Sequence, residues 1–522
     1  MNPDESYTDR ECKHEMVNTK TLNLTVIFTT LPSFRPASGG GACPRHEKPL
    51  YSQPTGIVKF DDGKAVTIMK LTVIGAGYVG LVSAACFADF GYEVTCVDKD
   101  PRKIAALENG RIPIYEQGLE PIVASNRQAG RLVFTENLKD AVASADVVLI
   151  AVGTPTREGE DAADLSYVYA AGEEIARAMQ GFTVIVTKST VPVGTAAKLR
   201  AIIAKARPDG DFEVASNPEF MREGSAVEDF LRPDRVVIGV NSERAELALR
   251  QLYRPLAAKD VPIVATSCEA AEIIKYAANT FLATRIAFVN QLADLCERVG
   301  ADIQDVARGM GLDKRIGLQF LNPGPGFGGS CFPKDTRALA ATARTYGGPF
   351  SIVENVIAAN EARKKALADR IQNAIGGSLQ GKKIAILGIA FKAETDDIRD
   401  AAALTVIPEL QRRGASVAAF DPVAMDNGRN AFESVQWCAD AYSASIGADA
   451  VVVLTEWNVF RGLNLTRLAK DMRQKILIDF RNLFALHDLR GSGLTYHSIG
   501  RNKVTHPVSD TSVIPFKTGH SA

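Results

Sequence analysis

Residues 70–100, KLTVIGAGYVGLVSAACFADFGYEVTCVDKD, constrain the fold more than any other part of the chain. LTVI is a short, largely apolar run, as expected of a strand buried on both faces. It leads directly into GAGYVG (75–80), then into the helically spaced VSAACFADFG, which ends on Gly91. The next strand, EVTCVD, closes on Asp98, 18 residues after Gly80. Alone, a GxGxxG pattern is weak evidence. Set between a strand and a helix, with an acidic residue ending the following strand, it describes a dinucleotide turn. Its glycines permit a tight turn and let a pyrophosphate approach the helix N-terminus. Gly75, Gly77 and Gly80, with Tyr78 and Val79 between them, are therefore candidate cofactor contacts. A carboxylate at Asp98 accepts hydrogen bonds from the adenosine ribose and repels a 2′-phosphate, so the cofactor expected is NAD.

Strand-like runs recur at ADVVLIAV (145–152), FTVIVTKST (182–190) and RVVIGV (235–240), with helical stretches between them. Such alternation builds a doubly wound parallel sheet. A second alternating region opens at KKIAILGIAF (382–391) and continues through SVAAFDP, ADAVVVLTEW and KILIDFRN. Between the two regions, 268–300 is a long helical signal free of Pro and Gly until Gly300. Its apolar residues surround much of the helix, which fits burial between domains or in a subunit interface. The fold expected is α/β, two Rossmann-like doubly wound domains joined by a long central helix and a helical middle region. The boundaries expected are 69–265 for the NAD-binding domain, 266–375 for the central region with the cysteine loop, and 376–500 for the second Rossmann-like domain. Residues 501–522 read as a tail. Residues 1–68 lack periodicity and are expected to be a disordered extension arising from an upstream start codon.

Composition narrows the chemistry. Lys plus Arg (60) balance Asp plus Glu (61) in 522 residues, so bulk charge favours neither nucleic acid nor an anionic membrane. Eight cysteines without CxxC spacing argue against structural zinc and for a reducing, cytoplasmic setting. Of six histidines, only His487 and His497 lie outside the terminal segments, leaving little material for a histidine base or a metal.

A reactive cysteine is the stronger candidate. GPGFGGSCFPKD (324–335) places Cys331 after a glycine ramp and at the start of the helical TRALAATART. The unpaired N–H groups of a helix N-terminus favour a thiolate. Glycine at 328 and 329 reads as room for a ligand against the backbone, although a small buried hydrophobe is the commonest fate of free cysteine. Lys275 and Asn279 stand four apart inside the long apolar helix, where a lysine either snorkels or meets a partner. SNPEFMREG (216–224) offers an N-cap with Pro218 at the first helical position. Glu219 and Glu223 would then share a helix face, as a functional pair or a solvated surface. A dinucleotide site, a reactive thiol and no histidine base suggest oxidation through a thiohemiacetal and thioester, with an ammonium and an amide stabilising the alkoxide.

Together GAGYVG, VGTPT (152–156), KSTVPVGT (188–195), SNPEFMREG, EIIKYAANTFLATRIAFVNQ (272–291), NPGPGFGGSCFPKD (322–335) and FKAETDDIRD (391–400) resemble the UDP-glucose 6-dehydrogenases, bacterial type, of the UDP-glucose/GDP-mannose dehydrogenase family. The resemblance spans about residues 69–500 and implies two NAD-linked oxidations of the UDP-glucose C6 alcohol to a carboxylate. It implies Cys331 as nucleophile, Lys275 and Asn279 as oxyanion partners, and Asp335 as a group orienting water or assisting proton transfer. Glu219 is similar to the family's acid/base carboxylate, and Thr190 to the hydroxyl holding the catalytic water. On the cofactor side it adds Lys103, Thr154, Thr190, Glu223, Lys334 and Arg399. For the sugar nucleotide it implies Glu219, Phe220, Met221, Arg222 and Glu223, together with Lys275 and Asn279. Phe320, Asn322, Gly324, Gly326, Phe327 and Gly328 follow from the loop before the cysteine, and Phe391, Lys392 and Arg481 from the second α/β region. Arg315 resembles an arginine lent across a homodimer built on the long helix. The alternatives are a sister dehydrogenase acting on GDP-mannose or a UDP-N-acetylhexosamine, and a non-catalytic NAD-responsive binding protein.

Overall fold

The computed structural model describes residues 69–157, 160–502 and 504–505, and the expectation for residues 1–68 lies outside them. The first strand, β1 (Lys70–Ile74), is exposed only at Lys70; Leu71, Val73 and Ile74 are buried together with Thr72, whose hydroxyl donates to the Ala141 carbonyl at 2.8 Å, as a strand covered on both faces requires. It joins β2 (Glu93–Val97), β3 (Leu132–Thr135), β4 (Val147–Ile150), β5 (Thr183–Thr187), β6 (Phe212–Ser216), β7 (Val236–Gly239) and β8 (Ile263–Thr266) in one eight-stranded sheet. The order is β3-β2-β1-β4-β5-β6-β7-β8, parallel except where Ser216 meets Gly239 between β6 and β7. Two apolar clusters, one around Phe87 and one around Ile150 and Ile175, cover the two faces.

The second sheet repeats the design. It contains β9 (Lys383–Leu387), β10 (Ser416–Phe420), β11 (Val435–Trp437), β12 (Ala450–Val453), β13 (Ile476–Asp479), β14 (Thr495–Ser498) and β15 (Val504–Thr505), in the order β11-β10-β9-β12-β13-β14-β15. The short antiparallel β15 falls within the segment read from sequence as a tail. In both sheets the order reverses beside the first strand of its half, and such switch points open a crevice at the strands' carboxyl ends.

The central helix runs Cys268–Val299, about 48 Å at 1.5 Å per residue. Ser267 caps it by accepting from the Ala270 N–H at 3.2 Å, and Gly300 ends it at φ 81°. A second long helix, Ser351–Ile375, ends similarly at Gly376. Sequence periodicity did not single this helix out, nor β3, β6 and β8. β3 and β8 carry only short apolar runs, 132–134 and 263–265, against the continuous 147–152 around β4, and Val133 in β3 is exposed.

One local expectation fails. Residues 217–225 form no helix; the next one starts at Ala226. The segment is instead held by distant partners. Asn217 donates its N–H to the Thr187 carbonyl at 2.9 Å and its Nδ2 to the Val237 carbonyl at 2.8 Å. Its Oδ1 accepts from Lys188 Nζ at 3.0 Å and from the Tyr253 hydroxyl. Glu219 and Glu223 therefore share no helix face, and each reaches a different neighbour.

Candidate active site

The glycine turn lies at the carboxyl end of β1, beside the first switch point. Gly75 has φ 106°, and a Cβ there would stand 2.6 Å from the Ala151 carbonyl oxygen. A Cβ on Gly80 would fall 1.8 Å from the Gly75 carbonyl oxygen, so these two glycines are imposed by backbone packing. Gly77 differs: a Cβ there would meet nothing within 4 Å. It N-caps the Tyr78–Asp89 helix, and no side chain caps that helix. Free N–H groups facing open space suit an anionic pyrophosphate. Asp98 Oδ2 accepts from the Ala76 N–H at 2.8 Å and Oδ1 from the Asp100 N–H at 2.9 Å, with Lys103 Nζ 3.5 Å away. Beyond β4 and β5, the Thr154 hydroxyl donates to the Thr190 carbonyl at 2.9 Å. The Tyr78 hydroxyl accepts from the Gly224 N–H, and Val79 packs against the core. The residues present fit a dinucleotide.

Cys331 is the N-cap of the Phe332–Thr345 helix and is partly accessible. The sequence reading of the ramp needs correction. A Cβ on Gly328 would lie 2.5 Å from the Asp400 carbonyl oxygen, and one on Gly329 (φ +82°) 2.7 Å from the Phe391 ring. These glycines make room for the 391–400 loop of the second α/β region. The expected thiolate also fails in the resting site. Burial pushes the Cys331 thiol up to about 11, although Lys275 pulls the other way.

Around the thiol the buried charges are paired. Lys275 Nζ donates to Glu219 Oε1 at 3.0 Å, with both side chains at most 6% exposed. Burial alone would lower Lys275, but Glu219, Cys331 and Asp335 outweigh it and hold the ammonium above its ordinary value. Glu219 Oε2 accepts from the Met221 N–H at 2.6 Å. The Phe220 ring lies 3.6 Å from the Arg235 guanidinium and 5.3 Å from Lys275 Nζ. Asp335 is fully buried, accepting from Asn279 Nδ2 and from Lys334 Nζ, each at 2.7 Å. Glu223 bridges three segments: it accepts from Ser330 at 2.8 Å and from Thr395 at 3.1 Å, and it stands 3.6 Å from Arg399. Arg399 also pairs with Asp397 at 2.8 Å.

The 320–328 loop is fixed from the two long helices. Gly324 donates its N–H to Asn290 Oδ1 at 2.8 Å, and its carbonyl accepts from Arg363 at 2.6 Å. Asn360 brackets Phe327, accepting from its N–H at 2.8 Å and donating to its carbonyl at 3.0 Å. Gly326 sits at φ +116° with Asn360 so close that a Cβ would meet Oδ1 at 2.9 Å. Phe320 holds φ 60° and places its ring 6.2 Å from Phe332, while Asn322 is exposed. From the second region, Arg481 donates to the Leu454 and Phe391 carbonyls and pairs with Glu456 at 3.0 Å. Lys392 donates to the Glu223 carbonyl. Arg222 is engaged by Asp229 at 2.6 Å, and the exposed Arg315 pairs with Asp313 on its own loop. Ser330, Thr395, Asn290 and Asn360 were not singled out from sequence. For Ser330 the available signal was its place beside the cysteine; the two asparagines sit unremarkably within long helices.

Comparison with known proteins gives three consecutive matches. They are to the UDP-glucose/GDP-mannose dehydrogenase family's NAD binding domain over residues 69–257, central domain over 269–362, and UDP binding domain over 385–485. The chain is 54% identical over 435 residues to a UDP-glucose 6-dehydrogenase of Rhizobium meliloti, covering 83% of this chain and 100% of the relative. It is 47% identical over 438 residues to the UDP-glucose 6-dehydrogenase TuaD of Bacillus subtilis, covering 83% and 94%. Among solved structures, a UDP-glucose dehydrogenase from Pyrobaculum islandicum superposes with TM-score 0.76 at 38% identity, covering 82% of this chain and 96% of that one. A UDP-D-ManNAc dehydrogenase from Pyrococcus horikoshii gives 0.74 at 28%, covering 83% and 99%. With all three parts matched in order, and with relatives matched over nearly their whole length, this chain belongs to the UDP-glucose/GDP-mannose dehydrogenase family.

Proposed function

We propose that the chain oxidises the C6 alcohol of UDP-glucose to the carboxylate of UDP-glucuronate, a four-electron reaction using two NAD. The observation that carries this reading is the buried Lys275–Glu219 pair set beside Cys331, with Asn279 and Asp335 hydrogen-bonded one helical turn along. NAD, when bound, supplies the hydride acceptor. The chain's own residues supply the rest. Gly75, Gly77, Gly80 and Asp98 hold the cofactor at the first switch point. Cys331 Sγ adds to the aldehyde carbon, and the resulting oxyanion is met by the Lys275 ammonium and the Asn279 amide. Asp335 orients Asn279 through their 2.7 Å bond. Thr190 and Glu219 hold the water that releases the acid from the thioester. The 320–328 loop, Phe391, Lys392 and Arg481 receive the sugar nucleotide between the two α/β regions, dividing the work among 69–265, 266–375 and 376–500.

The reading extends to assembly. Phe281, Phe288 and Leu295 recur every seven residues on the central helix and are each at least half exposed, with Ile273 and Val299 along the same helix. A stripe at this spacing suits a partner helix, and we assign it to a homodimer in which Arg315 serves the neighbouring site. Among the described residues no helix is long and apolar enough to cross a membrane, and six cysteines are free. The free thiols and the cofactor chemistry favour the cytoplasm. The test is NADH release over a panel of nucleotide sugars. UDP-glucose should yield two NADH per molecule without free aldehyde, and Cys331→Ala should abolish acid formation while retaining sugar-nucleotide binding. One NADH per molecule, preference for GDP-mannose or a UDP-N-acetylhexosamine, or acid production by the Ala variant would overturn the reading.

A further inference from the structure

A thiol that burial holds up to about 11 must lose its proton as it adds to an aldehyde, and the groups nearest to it are poorly placed to receive one. Lys275 is already an ammonium. Glu219 has Lys275 on one oxygen and the Met221 N–H on the other. Asp335 has Lys334 on one oxygen and Asn279 on the other. Among the described residues, the hydrogen-bond partner of the thiol is the Ser330 hydroxyl, with Oγ 3.4 Å from Sγ. The same hydroxyl is 2.8 Å from Glu223 Oε1. A hydroxyl has one proton to give and two lone pairs to accept with, so it serves both neighbours at once.

We propose that Ser330 carries the Cys331 proton to Glu223, making Glu223 the general base for thiol addition. The inference rests on the functional reading above and extends it. As Sγ bonds to the aldehyde carbon, its proton passes to Ser330 Oγ while the Ser330 proton passes to Glu223 Oε1. One S–H bond is lost, one carboxyl O–H is gained, and the serine is regenerated. Glu223 suits the task because burial, with Asp397 adding to it, raises the carboxyl to about 7, so it exchanges protons near neutrality. Facing the thiol are Lys275 from the central helix, Glu219 from the loop after β6, and Asp335 and Arg399. Facing Glu223 are Asp397, Arg399 and Lys392, all from the 391–400 loop. Thr395 of that loop holds the second Glu223 oxygen at 3.1 Å. The base is thus assembled from both α/β regions, and the relay is complete only when they meet.

The test compares wild type with Ser330→Ala, Ser330→Thr, Glu223→Gln and the Ala/Gln double variant of the full chain. The first readout is the single-turnover rate of NADH formation from the C6 aldehyde of UDP-glucose. Ser330→Ala and Glu223→Gln should each lose about 10²-fold or more, as expected for removing a general base, and Ser330→Thr should retain most of the rate. The double variant should lose no more than either single one, and Ser330→Ala should still bind UDP-glucose normally. The second readout needs no substrate: Cys331 alkylation by iodoacetamide against pH, quantified on the peptide. Wild type should show an inflection near neutrality, where Glu223 titrates, and Ser330→Ala should lose it. Losses that multiply in the double variant, a Ser330→Ala rate within about threefold of wild type, or an unchanged alkylation inflection would overturn the relay. Failure of wild type to oxidise UDP-glucose would overturn the functional reading instead, while alkylation still judges the relay.

Discussion

Lys275→Met removes one charge from the buried pair at nearly constant side-chain length, and its effects on stability and on catalysis should separate. In the intact protein Lys275 Nζ lies 3.0 Å from Glu219 Oε1, in surroundings that leave the two side chains 3% and 6% exposed. Breaking a buried pair by removing one partner costs about 3–5 kcal/mol, because the remaining charge is stranded away from water. Glu219 keeps the Met221 N–H on its other oxygen, so the lower end, about 3 kcal/mol, is expected. That should lower the unfolding midpoint by several degrees, at roughly 2–4 °C per kcal/mol for domains of 150–250 residues. Catalysis should fall by about 10²–10³, the usual cost of removing one oxyanion donor. Adding Glu219→Gln neutralises the stranded carboxylate, so the double variant should recover much of the midpoint and none of the rate. The assays are differential scanning calorimetry and NADH release from UDP-glucose. A Lys275→Met protein as stable as wild type, or a double variant less stable than the single one, would refute the buried-pair reasoning. A retained rate would remove Lys275 from the proposed chemistry.

Three further outcomes follow from particular contacts. Asp98→Ala should weaken NAD and narrow the NAD/NADP preference by about tenfold, one charge-assisted hydrogen bond's worth; coenzyme titrations that leave the ratio unchanged would count against Asp98 as the discriminator. Burial raises both Glu272 and Glu223 from 4.5 to about 7, so each holds its proton more tightly in the folded chain. Stability from these groups is therefore fully present below about pH 4.5 and lost as pH rises to about 7, with a slope of at most about 1.4 kcal/mol per pH unit for each. Glu272→Gln should flatten that decline in midpoint-against-pH curves, and a steeper one would contradict the assignment. Phe281→Glu places a charge in the exposed stripe and should convert the proposed homodimer to monomer in analytical ultracentrifugation; a mass equal to that of wild type would refute the assignment of the stripe to a dimer interface.

Much of this architecture is legible in the sequence, because it rests on local chemistry. The largely apolar run of β1, the glycines at 75 and 80, and the end of the central helix at Gly300 follow from the preferences of adjacent residues. The place of Cys331 at a helix start was equally readable, since Pro333 follows it in the first turn. Strands β3 and β8 were hard to read for a related reason: their apolar runs, 132–134 and 263–265, are short. Within 216–224, local signals pointed to a helix that does not form, because Asn217 finds better partners on β5, β7 and Tyr253 than a helix cap provides.

The site itself was decided by tertiary structure. Glu219 meets Lys275 across 56 residues, Glu223 meets Ser330 across 107 and Thr395 across 172. No periodicity encodes such pairs, since they depend on which strand ends lie side by side once the sheet order is set. Burial is likewise a property of the packed molecule. A helix N-terminus by itself favours a thiolate, yet enclosure by the surrounding elements raises the Cys331 thiol to about 11. The residue types needed for the chemistry were visible along the chain, but their protonation states and partners came from desolvation and long-range contact.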